Sequence, residues 1–343
     1  MKKLAICIPA YNRPKELIDL LKSIILQIDD NNRHQVCIRV CDDCSPNDSL
    51  SSVNSFMSNY DIDFIMIRNQ QNLRLDKNML KVVSMADAQY CWLMGDDDAL
   101  CTGAINKILL YCEQYPDIDV FLTNRYVCSR KLKPFMKEYL TTYKSNITVD
   151  FTNKQEVMRY FDRLYSTTCL GYATNLIIKK EKWDNVNCDK YIGTQYIHVA
   201  KYLSLLYKKG KLMLLADCLI LSRFGNDNFY NSLKQRIFID YMGFLKLSDM
   251  FSDDAEIKRL FLNVVPRHYN RVFLYAVSLT SNLSVDEIEI MHKLGYTKRD
   301  LDILKTNNKL LSFVCMNWNI FKQLFVDFNW FVKTSFITLQ KIL

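Results

Sequence analysis

The sequence predicts an α/β fold on a mostly parallel, doubly wound sheet flanked by helices, followed by a helical carboxyl-terminal region. Three observations predict it. Short apolar runs of buried-strand type alternate with helix-period segments over the first 125 residues. A polar cluster follows the end of almost every run. From about Phe151 the pattern turns to mixed helix with a few strands, and beyond about Tyr230 it is helical and rich in aromatics.

Leu4 to Ile8 reads as the first strand, and Pro14 stands where a first helical residue is pre-organised. Leu17, Leu20, Leu21, Ile24, Ile25 and Ile28 then recur at helical spacing. Val36 to Val40 is a second strand ending in Asp42-Asp43-Cys44-Ser45-Pro46, and Leu50, Val53 and Met57 mark the next helix. Asp63 to Ile67 is a third strand, Met79, Val82, Val83 and Ala86 a helical face, and Tyr90 to Met94 a fourth strand. Ile105, Ile108, Leu109 and Cys112 give another helix, and Val120 to Thr123 a fifth strand. Further on, Leu176 to Ile178 and Leu212 to Leu215 read as strands. Right-handed crossovers place the carboxyl ends of parallel strands on one edge, where ligands of such sheets bind. Tyr11-Asn12-Arg13, Asp42-Asp43, Arg68-Asn69 and Asp96-Asp97-Asp98 should therefore meet in space.

A chain of 343 residues, about half of them apolar, can bury a large core or form two domains. The formal charge of +8 suits acidic partners such as sugar nucleotides or an anionic membrane surface. No dense Lys/Arg block points to nucleic acid. Twelve cysteines at irregular spacing, with Asp42 and Asp43 between Cys41 and Cys44, match no zinc site and fit reduced thiols in a cytoplasmic protein. The opening apolar run stops at Pro9 and is too short for a secretion signal. The longest near-candidate for a bilayer span, Leu310 to Phe321, is short and carries Asn317 and Asn319. No transmembrane segment is expected.

Gly95-Asp96-Asp97-Asp98 follows the fourth strand directly. Adjacent carboxylates repel one another and resist leaving water without a compensating cation. A hard divalent ion that also carries phosphate oxygens is one such partner; a solvated turn that caps the next helix is the plainer alternative.

Ile6-Cys7-Ile8-Pro9-Ala10-Tyr11-Asn12-Arg13, Cys41-Asp42-Asp43-Cys44-Ser45 with Asp48, Asn72-Leu73-Arg74-Leu75-Asp76-Lys77-Asn78, and Gly95-Asp96-Asp97-Asp98 stand in that order along the chain. These four segments resemble family 2 glycosyltransferases of the GT-A fold. Within that family the chain is most similar to bacterial O-antigen and surface-polysaccharide enzymes of the abequosyltransferase-like branch. The resemblance implies a catalytic domain over residues 1–228, with a donor half (1–125) and an acceptor half (126–228), and a helical region over 229–343. It implies that Asp43 or Asp42 accepts a hydrogen bond from the donor base, with Pro9, Tyr11 and Arg13 shaping the nucleoside pocket. Asp98, helped by Asp96, would hold Mn²⁺ or Mg²⁺ on the donor diphosphate, with Asp97 beside it. The metal neutralises charge that develops on the leaving nucleoside diphosphate. Arg74, Lys77 and Asn78 are candidates to meet the donor; a solvated helix surface is the alternative. For Asp42 and Asp43 the alternative is a helix-capping turn, and for Arg13 a surface ion pair.

Gly171-Tyr172-Ala173-Thr174-Asn175-Leu176-Ile177 resembles the strand that floors the acceptor side, which makes Tyr172 and Asn175 acceptor-binding candidates. Family members usually follow with a Glu-Asp pair whose Asp is the general base. This chain reads Gly193-Thr194-Gln195-Tyr196-Ile197-His198 there, and the pair is missing. Three accounts compete: a base supplied by Asp189 or His198, a slipped alignment, or a retaining reaction in which Gln195 lies against the reacting face of the sugar. Ser222-Arg223-Phe224-Gly225-Asn226-Asp227-Asn228 resembles a loop that closes over the diphosphate, with Arg223 supplying charge; an ordinary turn is the alternative.

Phe313, Trp318, Phe321, Leu324, Phe325, Phe328, Trp330, Phe331 and Phe336, interleaved with Lys322, Lys333 and Lys341, suit either an amphipathic layer on the inner leaflet or a packed helical layer. The expected partners are a nucleoside-diphosphate sugar, a glycan acceptor on a polyprenyl diphosphate and a second copy of the chain. Two other functions fit some of these features: a nucleotidyltransferase, although Pro9 to Arg13 lacks its Gly-rich loop, and a silent glycan-binding scaffold, suggested by the missing pair.

Overall fold

The computed structural model describes residues 1–140, 145–225, 232–270, 273, 274, 277 and 282–302. Two compact units emerge: residues 1–126, 137–157 and 170–222 form one, and residues 127–136, 158–169 and those from 223 onward form the other.

The first unit carries the βα repeat. Strands β1 (Lys2–Ala10), β2 (Val36–Asp42), β3 (Phe64–Arg68) and β4 (Ala88–Leu93) alternate with helices α1 (Pro14–Ile25), α2 (Ser49–Met57) and α3 (Arg74–Ser84). β5 (Ala99–Leu100), α4 (Ala104–Gln114) and β6 (Val120–Cys128) follow. The sheet runs in the order β3-β2-β1-β4-β9-β6-β10-β5, with β9 at Leu176–Lys179 and β10 at Lys211–Arg223. β1 pairs in parallel with β2 and β4, and β2 with β3. β9 enters between β4 and β6 and is antiparallel to both. Val120 to Thr123 thus extends the repeat but lies one strand away from its predecessor. β5, β7 (Pro134–Glu138) and β8 (Ile147–Asp150) are short strands that local periodicity did not announce, and β8 lies antiparallel against β10.

Burial follows the apolar spacing. Leu17, Leu20, Leu21, Ile24 and Ile25 form the buried face of α1, with Pro14 in its first turn. Each fully buried aliphatic side chain contributes about 1.5–3 kcal/mol relative to exposure. They pack on Leu4, Ile6, Ile8, Val36, Ile38 and Val40 in one core that reaches Trp92 and Ile177. On α3 the buried face includes Met79, Val82 and Val83 but also two polar residues, Asp76 and Asn78. Eleven cysteines among the described residues, Cys41 and Cys44 included, form no disulfide.

Between β8 and β10 the chain forms α5 (Lys154–Arg163), α6 (Thr168–Gly171), α7 (Lys180–Asp184) and α8 (Ile197–Leu206). The second unit is mainly helical, with α9 (Leu233–Leu247), α10 (Ala255–Leu262) and α11 (Val264–His268). Phe161 meets Phe251 and Phe261 edge-on, and Phe244 stacks on Phe261. Asp240 is wholly buried there and accepts from Tyr269 and Thr167 beside Arg236. The aromatic tail from Phe313 onward, and Asn226 to Asn228 of the loop after β10, lie outside the described residues.

Candidate functional site

The exits of β1 and β4 converge, as parallel neighbours must. The Tyr11 N–H donates to Asp96 Oδ2 at 2.9 Å. The Arg13 guanidinium bridges Asp96 Oδ1 at 3.0 Å and Asp97 Oδ2 at 3.1 Å. Arg13 can reach them because it is the residue that caps α1, immediately before Pro14. Asp98 turns the other way: Tyr172 Oη lies 2.5 Å and Thr174 Oγ1 2.6 Å from its Oδ2. The Thr174 hydroxyl in turn accepts the Gly95 N–H at 2.9 Å, and the Trp92 indole donates to the Thr174 carbonyl at 2.8 Å. A side chain at Gly95 would crowd this contact, since a Cβ there would stand 3.0 Å from Asp98 Oδ2 and 3.2 Å from Thr174 Oγ1.

Burial holds the carboxyls of Asp96 and Asp98 above the ordinary carboxylate range. The neighbouring Asp97 raises both further; Arg13 opposes the shift at Asp96, and the two hydroxyls oppose it at Asp98. Among the described residues no group of three His, Cys, Asp or Glu side chains forms a metal-binding set. A hard cation does not need one here, because Mg²⁺-type ions take one or two carboxylates and complete their shell with water and substrate phosphate. Two buried carboxylates on one turn, Asp96 and Asp98, fit that chemistry.

Arg125 and Glu138 stand behind Tyr172. Arg125, buried on β6, pairs with Glu138 and places its guanidinium 3.6 Å from the centre of the Tyr172 ring. The Tyr172 hydroxyl also lies 2.8 Å from Ser222 Oγ on β10.

The exits of β2 and β3 form a second polar cluster. Asp42 is turned inward and accepts from the Ser45 N–H and hydroxyl and from the Ser49 hydroxyl. Asp43 Oδ1 accepts from Asn69 Nδ2 at 2.8 Å and from the Leu73 N–H at 2.7 Å. Both are nearly inaccessible, at 1% and 3%. Asn78 is buried too, donating to the Cys41 carbonyl and accepting from Asn69. Lys81 donates to Asn69 Oδ1 at 2.6 Å. Beside this network lies an open cavity of about 480 Å³ lined by Asn69, Gln70, Gln71, Leu73 and Lys81. Pro9 pairs with Cys41 one residue before the end of β1, Tyr11 is exposed, and Arg74 is exposed with a left-handed φ of 64°.

The remaining candidates separate. Gln195 stands partly exposed at a left-handed φ of 65°, its N–H held by Asp76 Oδ2. Asp189 is exposed in a short turn and accepts from Asn187. His198 is buried on α8 (Ile197–Leu206), its Nε2 against the Gly171 carbonyl, and burial pushes its pKa down to about 4. Placed so, it is a packed helix residue rather than a proton acceptor facing substrate. The Tyr172 hydroxyl is engaged by Asp98 and Ser222. Asn175 is buried with neither amide atom hydrogen-bonded. Arg223 belongs to the second unit, where its guanidinium donates to the Arg130 carbonyl.

Sequence reasoning missed Asp76, Arg125, Thr174, Lys81 and Ser222. A signal existed for two of them. Arg125 falls at a buried position of β6, and Asp76 on the buried face of α3; a charge in either place requires a partner.

The model of the family described as "Glycosyl transferase family 2" matches residues 5–180. The chain is 32% identical over 323 residues to abequosyltransferase RfbV of Salmonella typhimurium (strain LT2), covering 90% of this chain and 94% of that relative. Among solved structures, residues 1–349 of S. aureus TarS in complex with UDP align with a TM-score of 0.59 at 13% identity, covering 96% of this chain and 91% of that one. The mannosyltransferase PcManGT from Pyrobaculum calidifontis, solved with GDP-Man and Mn²⁺, aligns at 0.51 and 12% identity, covering 93% and 87%. At these identities the two structures speak for the fold.

Proposed function

Because the chain belongs to glycosyl transferase family 2 and is a glycosyltransferase of surface-polysaccharide type, we propose a metal-assisted transfer from a nucleoside-diphosphate sugar to a bacterial O-antigen or capsule precursor carried on a polyprenyl diphosphate. One observation supports the metal and donor parts: Asp96 and Asp98 sit buried at the carboxyl end of β4, with Arg13 from the β1 exit paired to Asp96. The relative in Salmonella typhimurium, by its name an abequosyltransferase, supports a deoxyhexosyl or hexosyl donor and an O-antigen product.

In this reading Asp96 and Asp98 hold Mn²⁺ or Mg²⁺. The bound ion supplies charge neutralisation to the departing diphosphate. Asp97 and Arg13 keep the turn in place, and Arg13 offers its guanidinium to phosphate oxygens. The donor base occupies the cavity beside Asn69, Gln70 and Lys81, with Asp43 fixing the cavity wall through Asn69. The acceptor oxygen attacks the anomeric carbon, the bond from that carbon to the diphosphate oxygen breaks with its electrons on the oxygen, and the acceptor proton passes to the leaving phosphate. No carboxylate base is needed for that route. Gln195 presents its amide to the reacting face, and the transfer retains configuration.

No helix among the described residues is long and apolar enough to cross a membrane. A polyprenyl-linked acceptor supports a peripheral seat on the inner face of the cytoplasmic membrane.

Calorimetric titration of UDP, CDP, GDP and dTDP, each with and without Mn²⁺, into wild type and Asp98→Ala tests the proposal. Metal-dependent binding of one nucleotide, lost in the variant, is expected. Binding of none of them would leave a silent scaffold as the better reading.

A further inference from the structure

Three strands reach one oxygen atom in this site. Tyr172, just ahead of β9, places its hydroxyl 2.5 Å from Asp98 Oδ2 after β4 and 2.8 Å from Ser222 Oγ on β10. A phenol has a single proton, and an ionised carboxylate can only accept. The phenol proton therefore goes to Asp98, and the Ser222 hydroxyl is left to donate to the phenol oxygen. On the ring face, the Arg125 guanidinium lies 3.6 Å from the centroid, and Arg125 is itself held by Glu138. A cation against the ring draws electron density from it and strengthens the O–H as a donor. Ring position and hydroxyl direction are thus both fixed, by Arg125 from β6 and Ser222 from β10.

We propose that Tyr172 is a positioning residue for the acidic turn, setting the orientation of the Asp98 carboxylate for a divalent cation. The inference rests on the metal reading above. Tyr172 touches neither the metal nor the sugar in this account; it acts through Asp98. Thr174 gives the same oxygen its second hydroxyl and is itself held by the Gly95 N–H. Orientation by outer partners is worth roughly 10–100-fold in metal affinity where it has been probed in general. Tyr172→Phe is the sharp probe, because it keeps the ring under Arg125 and deletes one oxygen.

The experiment is a Mn²⁺ titration followed by the electron paramagnetic resonance of the free ion. It uses the full chain as wild type, Tyr172→Phe, Ser222→Ala and Asp98→Ala, with thermal unfolding of each. Wild type should bind Mn²⁺ and Asp98→Ala should not. Tyr172→Phe should bind about tenfold or more weakly while still melting cooperatively, and Ser222→Ala should lose a smaller factor. Wild-type affinity in Tyr172→Phe would overturn the proposal and leave the metal reading standing. If Tyr172→Phe fails to fold, unchanged affinity in Ser222→Ala overturns it instead. Absence of Mn²⁺ binding by wild type, or equal binding by Asp98→Ala, would overturn the metal reading and the proposal together.

Discussion

The Asp76 carboxylate accepts the Gln195 N–H at 3.0 Å, joining residues 119 positions apart. The same carboxylate takes the Gly193 N–H at 2.7 Å and the Ile197 N–H at 3.3 Å, so one buried side chain on α3 organises the whole approach to α8. That approach holds Gln195 in its left-handed conformation, which a residue with a side chain adopts only when its surroundings fix it. Asp76→Asn should therefore cost about 1–3 kcal/mol of stability. Faster amide exchange should appear at Gly193 to Ile197 before it appears in the sheet. Denaturant unfolding and site-resolved hydrogen exchange check both, and unchanged exchange in that segment would contradict the assignment.

Arg13 already pairs with Asp96 and Asp97, so in the proposed metal reading it would compete with the cation as well as hold the turn. Arg13→Gln should tighten binding of Mn²⁺ alone on the order of tenfold, equivalent to about 1.4 kcal/mol. It should also weaken nucleotide binding by removing a phosphate partner. Weaker Mn²⁺ binding in the variant would show that Arg13 supports the ion's site rather than competing for it.

His198 gives a pH signature. Its pKa falls from an ordinary 6.5 to about 4 in the folded chain, chiefly through burial. Below pH 6.5 the unfolded chain takes up a proton that the folded chain refuses. The contribution to stability is complete above 6.5 and is lost as pH falls toward 4, at up to about 1.4 kcal/mol per pH unit. His198→Gln, which does not titrate and keeps a donor for the Gly171 carbonyl, should flatten the slope of stability between pH 6.5 and 5. Equal slopes in the two proteins would sink the argument.

A methyl group has no room at Gly171. A Cβ there would sit 2.6 Å from Cε1 of Tyr196, whose ring is buried. Gly171→Ala should destabilise the chain by about 1–3 kcal/mol, the usual cost of overpacking. Cutting Tyr196 back as well, in Gly171→Ala/Tyr196→Leu, should recover part of that loss. Chemical denaturation of the single and double variants reads out both effects.

The βα repeat was legible because each strand is an unbroken apolar run and each helix shows one apolar face. Leu17 through Ile25 and Met79 through Val83 are buried where their spacing placed them. The meeting of Tyr11, Arg13 and Asp96 was also legible, since parallel strands order their exits. The support behind Asp98 was not. Tyr172 and Thr174 reach it from 74 and 76 residues away, by way of a strand that runs against its neighbours. No local period encodes that insertion. Asp42 and Asp43 look alike in sequence, yet Asp42 folds onto its own turn while Asp43 bonds to the β3 exit.

The reversed strand β9 also bears on how such an enzyme can be recombined. The residues leading into it deliver Tyr172 and Thr174 to the turn after β4, so the acidic turn and its hydroxyl partners do not come from one contiguous stretch. A hybrid that exchanged residues 1–125 alone would set foreign aspartates beneath a resident phenol and threonine. A crossover placed after Lys179, the last residue of β9, would carry the aspartates, their two hydroxyl partners and the Arg125–Glu138 pair as a single inherited block.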